Sequence, residues 1–154
     1  MADDLNRLAT WAAPLLAGLG PARRRAAMVQ VSTYLRRSQA ERIAAQRNPD
    51  GTPYEPHKPR LRNKKGTIRR TMFEKLRQAR RLRKTATANS ATVSVGGRSA
   101  RIARVHQYGL RDKVDWRKPE TVSVKYARRE LLGFTAADED AIIDLVLHHI
   151  TAGG

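Results

Sequence analysis

The stretch Asn48-Pro49-Asp50-Gly51-Thr52-Pro53-Tyr54-Glu55-Pro56-His57-Lys58-Pro59 constrains this chain more than any other. Each proline fixes φ and lacks an N–H donor, so neither a regular helix nor a central strand runs through it. Asn48-Pro49-Asp50-Gly51 is a turn signal, because proline presets one φ and glycine tolerates a positive one. The remainder, running on through Leu61 to Gly66, reads as an extended Pro-rich arm or functional loop, long for a compact domain. The chain is therefore read as a helical part (1–47), an extended loop or arm (48–66) and a mixed part (67–154). A length of 154 residues suits one domain, 1–154, with a real core.

In the first part, Asp3 or Asp4 caps a helix with Leu5, Leu8, Trp11 and Ala12 on one face. Pro14 is expected to break or kink it, although Leu15, Leu16 and Leu19 continue the pattern. Pro21 fits the first turn of a second helix reaching about Gln46. Met28, Val31, Leu35 and Ile43 recur there at helical spacing, opposite Arg23, Arg24, Arg37, Glu41 and Arg47. Ser38 and Gln39 interrupt the stripe, so its middle is expected to be less buried.

Charge is the second constraint. The chain has 31 Lys and Arg against 14 Asp and Glu, a net +17. Such an excess implies a partner of negative charge, nucleic acid or an acidic protein surface. It concentrates in Lys58 to Lys84, where the one acid is Glu74. A helix from about Thr67 to Leu82 would place Met72, Phe73, Leu76 and Ala79 on one face and the cations opposite. Arg60, Arg62, Lys64, Lys65, Arg69, Arg70, Arg77, Arg80 and Arg81 are the candidates for contact with DNA or an acidic partner. No groove-reading motif accompanies them, so base-specific readout is not expected. Aromatics are 5% of the chain, which disfavours base stacking.

Val93 to Tyr108 organises the mixed part. Val93 and Val95 alternate with Ser94, a half-buried strand, and pass through Gly96-Gly97 into a helix carrying Ile102 and Val105. Gly109 sits where a helix C-cap glycine belongs. Thr85 to Ala88 and Ala91 to Val95 read as a hairpin around Asn89-Ser90. Leu110 to Pro119 reads as irregular, and Val122, Val124 and Tyr126 alternate as a third strand. Thr135 caps a last helix, with Asp138 completing a capping box and Ile142, Val146 and Ile150 in its apolar stripe.

Catalytic and cofactor signals are weak. The histidines are His57, His106, His148 and His149, and the last two project about 100° apart on a helix. With no cysteine and no His-x-x-x-His pair, no metal site is expected, and no phosphate-binding glycine loop or nucleophile elbow is present. No catalytic residue and no cofactor are assigned. No run approaches the roughly 18 apolar residues of a membrane span. Met1-Ala2-Asp3-Asp4 lacks the apolar core of a signal peptide, so secretion is not expected.

Four blocks in order carry a resemblance: Asn48-Pro49-Asp50-Gly51 with Pro53-Tyr54, then Met72-Phe73-x-Lys75-Leu76-Arg77, then Arg101 to Asp112, then Ala127 to Thr135. Together they resemble the phage virion-morphogenesis family, which includes tail completion proteins of contractile-tailed, Mu-like phages. The resemblance implies a non-enzymatic virion protein of the tail or neck, assembled in the host cytoplasm, that completes the tail and enables head–tail joining. It also implies an α+β fold, with two to three long helices and a short C-terminal helix on a small antiparallel sheet. Implied partners are further copies in a ring, expected to be a hexamer, around the DNA channel, neighbouring proteins such as the tail terminator and head–tail connector, and the packaged DNA. Pro53, Tyr54, Pro56, His57, His106, Gln107 and Tyr108 are then candidates for inter-subunit or partner contact. The competing reading, from charge, is a sequence-nonspecific nucleic-acid-binding protein.

Overall fold

The computed structural model describes residues 2–56, 71–114, 117–118 and 120–152. Its contacts divide the chain into two compact units. The first comprises residues 1–38, 82–94 and 134–154, and the second residues 39–81 and 95–133. The α+β expectation holds. Helices α1 (Ala2–Ala17), α2 (Pro21–Ala44), α3 (Ser99–Tyr108) and α4 (Ala136–Thr151) accompany two two-stranded sheets, β1 (Leu82–Ala86) with β2 (Ala91–Val95) and β3 (Arg111–Lys113) with β4 (Ser123–Lys125).

The first unit is built by apolar periodicity. Ala12 of α1, Val31 and Leu35 of α2, and Ile142 and Val146 of α4 form its core, with Ala91 and Val93 of β2 packed against them. Thr135 starts α4 as expected: the Asp138 N–H donates to Thr135 Oγ1 at 3.1 Å, and the Thr135 N–H donates to Asp138 Oδ2 at 2.9 Å. The Ser38 hydroxyl donates to the other oxygen of this buried carboxylate. Pro14 does not break α1. Pro14 and Thr10 both lie on the exposed side, so the carbonyl that proline leaves without a donor is open to water.

The second unit gathers Ile43, Tyr54, Leu76, Ala103 and Leu131, with Met72, Phe73 and Val95 against them. The helix expected over Thr67 to Leu82 is absent from its described part. Only Glu74–Arg77 turns, as a short 3-10 helix, and Leu82 opens β1. Phe73 takes φ 63° ahead of that turn and Gln78 is extended after it, so no α-helix continues in either direction. One turn suffices to bring Met72, Phe73 and Leu76 into the cluster, and Ala79 is left exposed. Among the described residues, 71–82, the expected opposite basic face does not form as a helix face. Residues 111–113, read as irregular, form β3 and pair antiparallel with β4 in the register Arg111 to Lys125, Asp112 to Val124 and Lys113 to Ser123. Of the proline-rich arm, residues 48–56 fold within this unit, and residues 57–66 lie outside the described residues.

Candidate interaction surface

The second unit is organised around an irregular segment, Arg129 to Gly133, that bends at Leu131 and Leu132 and belongs to no helix or sheet. Side chains do for its backbone what a neighbouring strand would. Gln107, at the end of α3, donates from Nε2 to Leu132 O at 2.7 Å and accepts the Leu132 N–H at 2.9 Å. Gln39, in the last turns of α2, does the same to Gly133, at 2.8 and 3.1 Å. Asn48 Oδ1 accepts the Glu130 N–H at 2.9 Å, and the Tyr54 hydroxyl donates to Glu130 O at 3.2 Å. Burial raises the Tyr54 phenol above its ordinary pKa, so it stays a donor. A third glutamine repeats the device elsewhere: Gln46 holds Met72 through Nε2 to O at 2.9 Å and Oε1 from N–H at 3.0 Å.

Two buried arginines complete the latch. Arg42 lies one helical turn after Gln39 and reaches Glu130 O at 2.8 Å, Leu131 O at 3.0 Å and Arg47 O at 3.1 Å, besides Gln39 Oε1. Arg129 is 4% exposed, and its guanidinium donates to Glu55 O at 2.7 Å and Pro56 O at 3.0 Å. Its burial depresses the guanidinium pKa, but an arginine retains its proton. The same group stands 3.1 Å from His106 Nδ1, and because guanidinium only donates, Nδ1 is the acceptor. The His106 ring meets Phe73 edge-on at 4.8 Å and Tyr126 at 5.2 Å between centroids.

Close backbone approach explains one glycine. A Cβ on Gly133 would fall 2.4 Å from Pro49 Cγ, so the turn proline packs where only glycine leaves room. That turn closes on itself: the Gly51 N–H donates to Asn48 O at 2.9 Å, and Asp50 Oδ1 accepts the Thr52 N–H at 2.9 Å and hydroxyl at 2.6 Å. The two hydrogen bonds from Thr52 hold the Asp50 carboxyl below its ordinary pKa.

Beside the latch lies a groove of about 610 Å³ between α3 and the β3–β4 hairpin, whose lining includes Ile102, Val105, His106, Val114 and Tyr126 together with the charged Arg98, Arg101, Asp112, Lys113 and Arg117. Ile102 is 53% and Val114 63% exposed, and Val122, whose carbonyl accepts the Val114 N–H, is 72% exposed. Arg101 pairs with Asp112, which holds that carboxyl below its ordinary pKa. Ile102 and Val114 share the groove with several charged side chains, and exposed aliphatics grouped with charge are what a protein-docking surface looks like.

The sequence-predicted contact residues are distributed unevenly. Tyr54, His106 and Gln107 are engaged inside the second unit, whereas Pro53, Pro56 and Tyr108 are exposed. His57, Arg60, Arg62, Lys64, Lys65, Arg69 and Arg70 lie outside the described residues. Arg80 is exposed and donates to Gln78, Arg81 donates to Ser99 Oγ at 2.9 Å, and Arg77 is half-buried. Sequence reasoning missed the latch residues Gln39, Arg42, Gln46 and Arg129. One signal was available: Gln39, which interrupts the α2 stripe, is 3% exposed, so the interruption marks buried polar pairing and not a solvated middle. Among the described residues no group of three or more His, Cys, Asp or Glu is placed to hold a metal ion.

A family model described as the phage virion morphogenesis family matches residues 3–151. The chain is similar to tail completion protein S of Escherichia phage P2, 38% identical over 138 residues, covering 88% of this chain and 90% of the relative. No solved structure matches. Residues of all four resemblance blocks meet in the second unit, where Asn48, Tyr54 and Gln107 bond to the segment 129–133 and Met72 and Phe73 pack against the cluster that holds Leu131.

Proposed function

The chain belongs to the phage virion morphogenesis family, and from that membership we propose that it completes the tail of a phage particle and makes the tail competent to join the head. The observation that carries this reading is the similarity to tail completion protein S along nearly the whole of both chains. The role is structural. In the second unit the latch holds the segment 129–133 and the groove is left exposed, as suits a part that works by being docked.

In this reading copies assemble as a ring, a hexamer, at the neck end of the tail around the DNA channel, next to the tail terminator and head–tail connector. The particle is put together in the host cytoplasm. No helix among the described residues is long and apolar enough to cross a membrane. The basic stretch Arg60 to Lys84 meets DNA phosphates or an acidic rim of the adjoining ring. Repetition around a ring would multiply that charge into a sequence-independent, salt-sensitive attraction. The net charge of +17 favours a second reading, a nucleic-acid-binding protein that acts without sequence preference and away from the particle.

Electron microscopy of lysates from the phage lacking this protein separates the two. Full heads beside separate, otherwise complete tails support completion. Joined, normal particles would discard it and leave the charge to nucleic acid elsewhere.

A further inference from the structure

We propose that the acidic and apolar face of α1 and α4 receives the basic segment 57–70 of a second copy of the chain. The inference names a partner for part of the basic stretch in the ring reading above, and it rests on that reading.

Charge is divided unevenly along the chain. Helices α1 and α4 hold six of its 14 acids and one of its 31 Lys and Arg, so both are acidic in a protein of net +17. In α4, Asp140, Ile143, Asp144 and Leu147 recur at helical spacing and share one stripe. Asp140 and Asp144 are exposed, and Leu147 is 39% exposed. The stripe continues onto α1 through a cleft lined by Arg7, Leu8, Trp11, Glu139 and Ile143, where Trp11 is 40% exposed. Among the described residues, Glu139, Asp140 and Asp144 have no ion-pair partner.

Such a face selects its occupant. Its carboxylates repel nucleic acid, and they repel the same face of another copy. The exposed Trp11 and Leu147 need apolar cover as well as countercharge, and tryptophan is among the residues that most often anchor an interface. Residues 57–70, which lie outside the described residues, bring both: seven Lys and Arg with no acid, and Leu61 and Ile68 among them. The chain on either side of them is fastened to the second unit. Arg129 donates to Pro56 O at 3.0 Å, and Gln46 pairs with the backbone of Met72 at 2.9 and 3.0 Å. Fourteen residues running out and back reach at most about 23 Å from those points. The stripe from Asp140 to Leu147 is about 11 Å long, so that reach covers it on an abutting copy. Because the face and the segment are different parts of the chain, the contact is heterologous. It repeats from copy to copy and closes into a ring when the rotation permits.

The full-length chain tests this by sedimentation across protein concentration. One variant reverses the face (Asp140→Lys with Asp144→Lys) and another reverses the segment (Arg62→Glu with Lys64→Glu and Lys65→Glu). Each alone is expected to associate at least about a hundredfold more weakly than the wild type, because like charges then meet. An equimolar mixture of the two is expected to recover assembly, since every junction between unlike copies again pairs opposite charges. Trp11→Ser, at an exposed site, is expected to weaken association without a charge change. The chain has no cysteine, so a mixture of Lys64→Cys and Asp144→Cys under oxidised glutathione supplies a second readout. A disulfide joining the two variants is expected in excess over disulfides between like copies.

Reversed variants that assemble like the wild type, or a mixed disulfide no more abundant than the like-paired ones, would overturn this contact while leaving the ring and tail completion standing. Rescue in the single chain carrying both reversals, without rescue in the mixture, would place the contact within one chain and overturn it between copies. Wild-type assembly with loss of DNA binding in the segment variant would give the segment to phosphate instead. A wild type that stays monomeric at high concentration would overturn the ring reading together with this contact. Tail completion fails separately, in the lysate microscopy.

Discussion

In the first unit the backbone is satisfied by its own helices and hairpin, and cohesion comes from Val31, Leu35, Ile142 and Val146 burying one another. In the second unit a segment with no strand partner is held by the side chains of Gln39, Arg42, Asn48, Tyr54 and Gln107. Apolar burial is non-directional and forgiving, whereas a buried polar latch is all or nothing: each lost partner strands a group that was already desolvated. The difference assigns the two units different failure modes. The first should soften by degrees, and the second should release its segment when one side chain is removed.

Arg42→Met gives the largest expected effect. It takes the donor from Glu130 O, Leu131 O and Arg47 O, and is expected to cost about 4 kcal/mol in urea unfolding. A loss below about 1 kcal/mol, the size of a typical net hydrogen bond, would break the comparison. Ile142→Ala, its counterpart in the first unit, is expected to cost about 3 kcal/mol by the same measurement, as a buried aliphatic truncation does.

Gln107→Glu sharpens the comparison further. The carboxylate still accepts the Leu132 N–H but turns an oxygen toward Leu132 O where a donor stood, so about 2 kcal/mol should be lost. Urea titration beside Gln107→Met would separate repulsion from simple loss of the pair.

The smallest effect is a pH dependence. Asp50 has its carboxyl held below the ordinary 3.8 by Thr52, so its contribution is complete above that value and disappears as pH falls through the lower, folded value. Thermal unfolding of Asp50→Asn against the wild type should differ at neutral pH and converge in strong acid. Divergence on the acid side would refute the assignment.

Sequence periodicity made most of the first unit legible, because α2, α4 and the capping box follow from spacing and from one Thr-Asp pair. It failed where tertiary contact overrides local preference. Phe73 in a left-handed conformation stopped a helix that Met72, Phe73, Leu76 and Ala79 had implied. Pro14, expected to break or kink α1, does not break it and lies on an exposed face. The latch was illegible because no period describes a glutamine that pairs with a backbone distant in sequence. Only the resemblance blocks pointed to that region, and they did so without saying how the residues meet.

Amide hydrogen exchange along residues 129–133 tests the latch most directly. The amides of Arg129, Glu130, Leu132 and Gly133, bonded to His106 O, Asn48, Gln107 and Gln39, should be protected to the same order as those inside α4, and Arg42→Met should release them together. Exchange at the rate of an open loop in the wild type would contradict it.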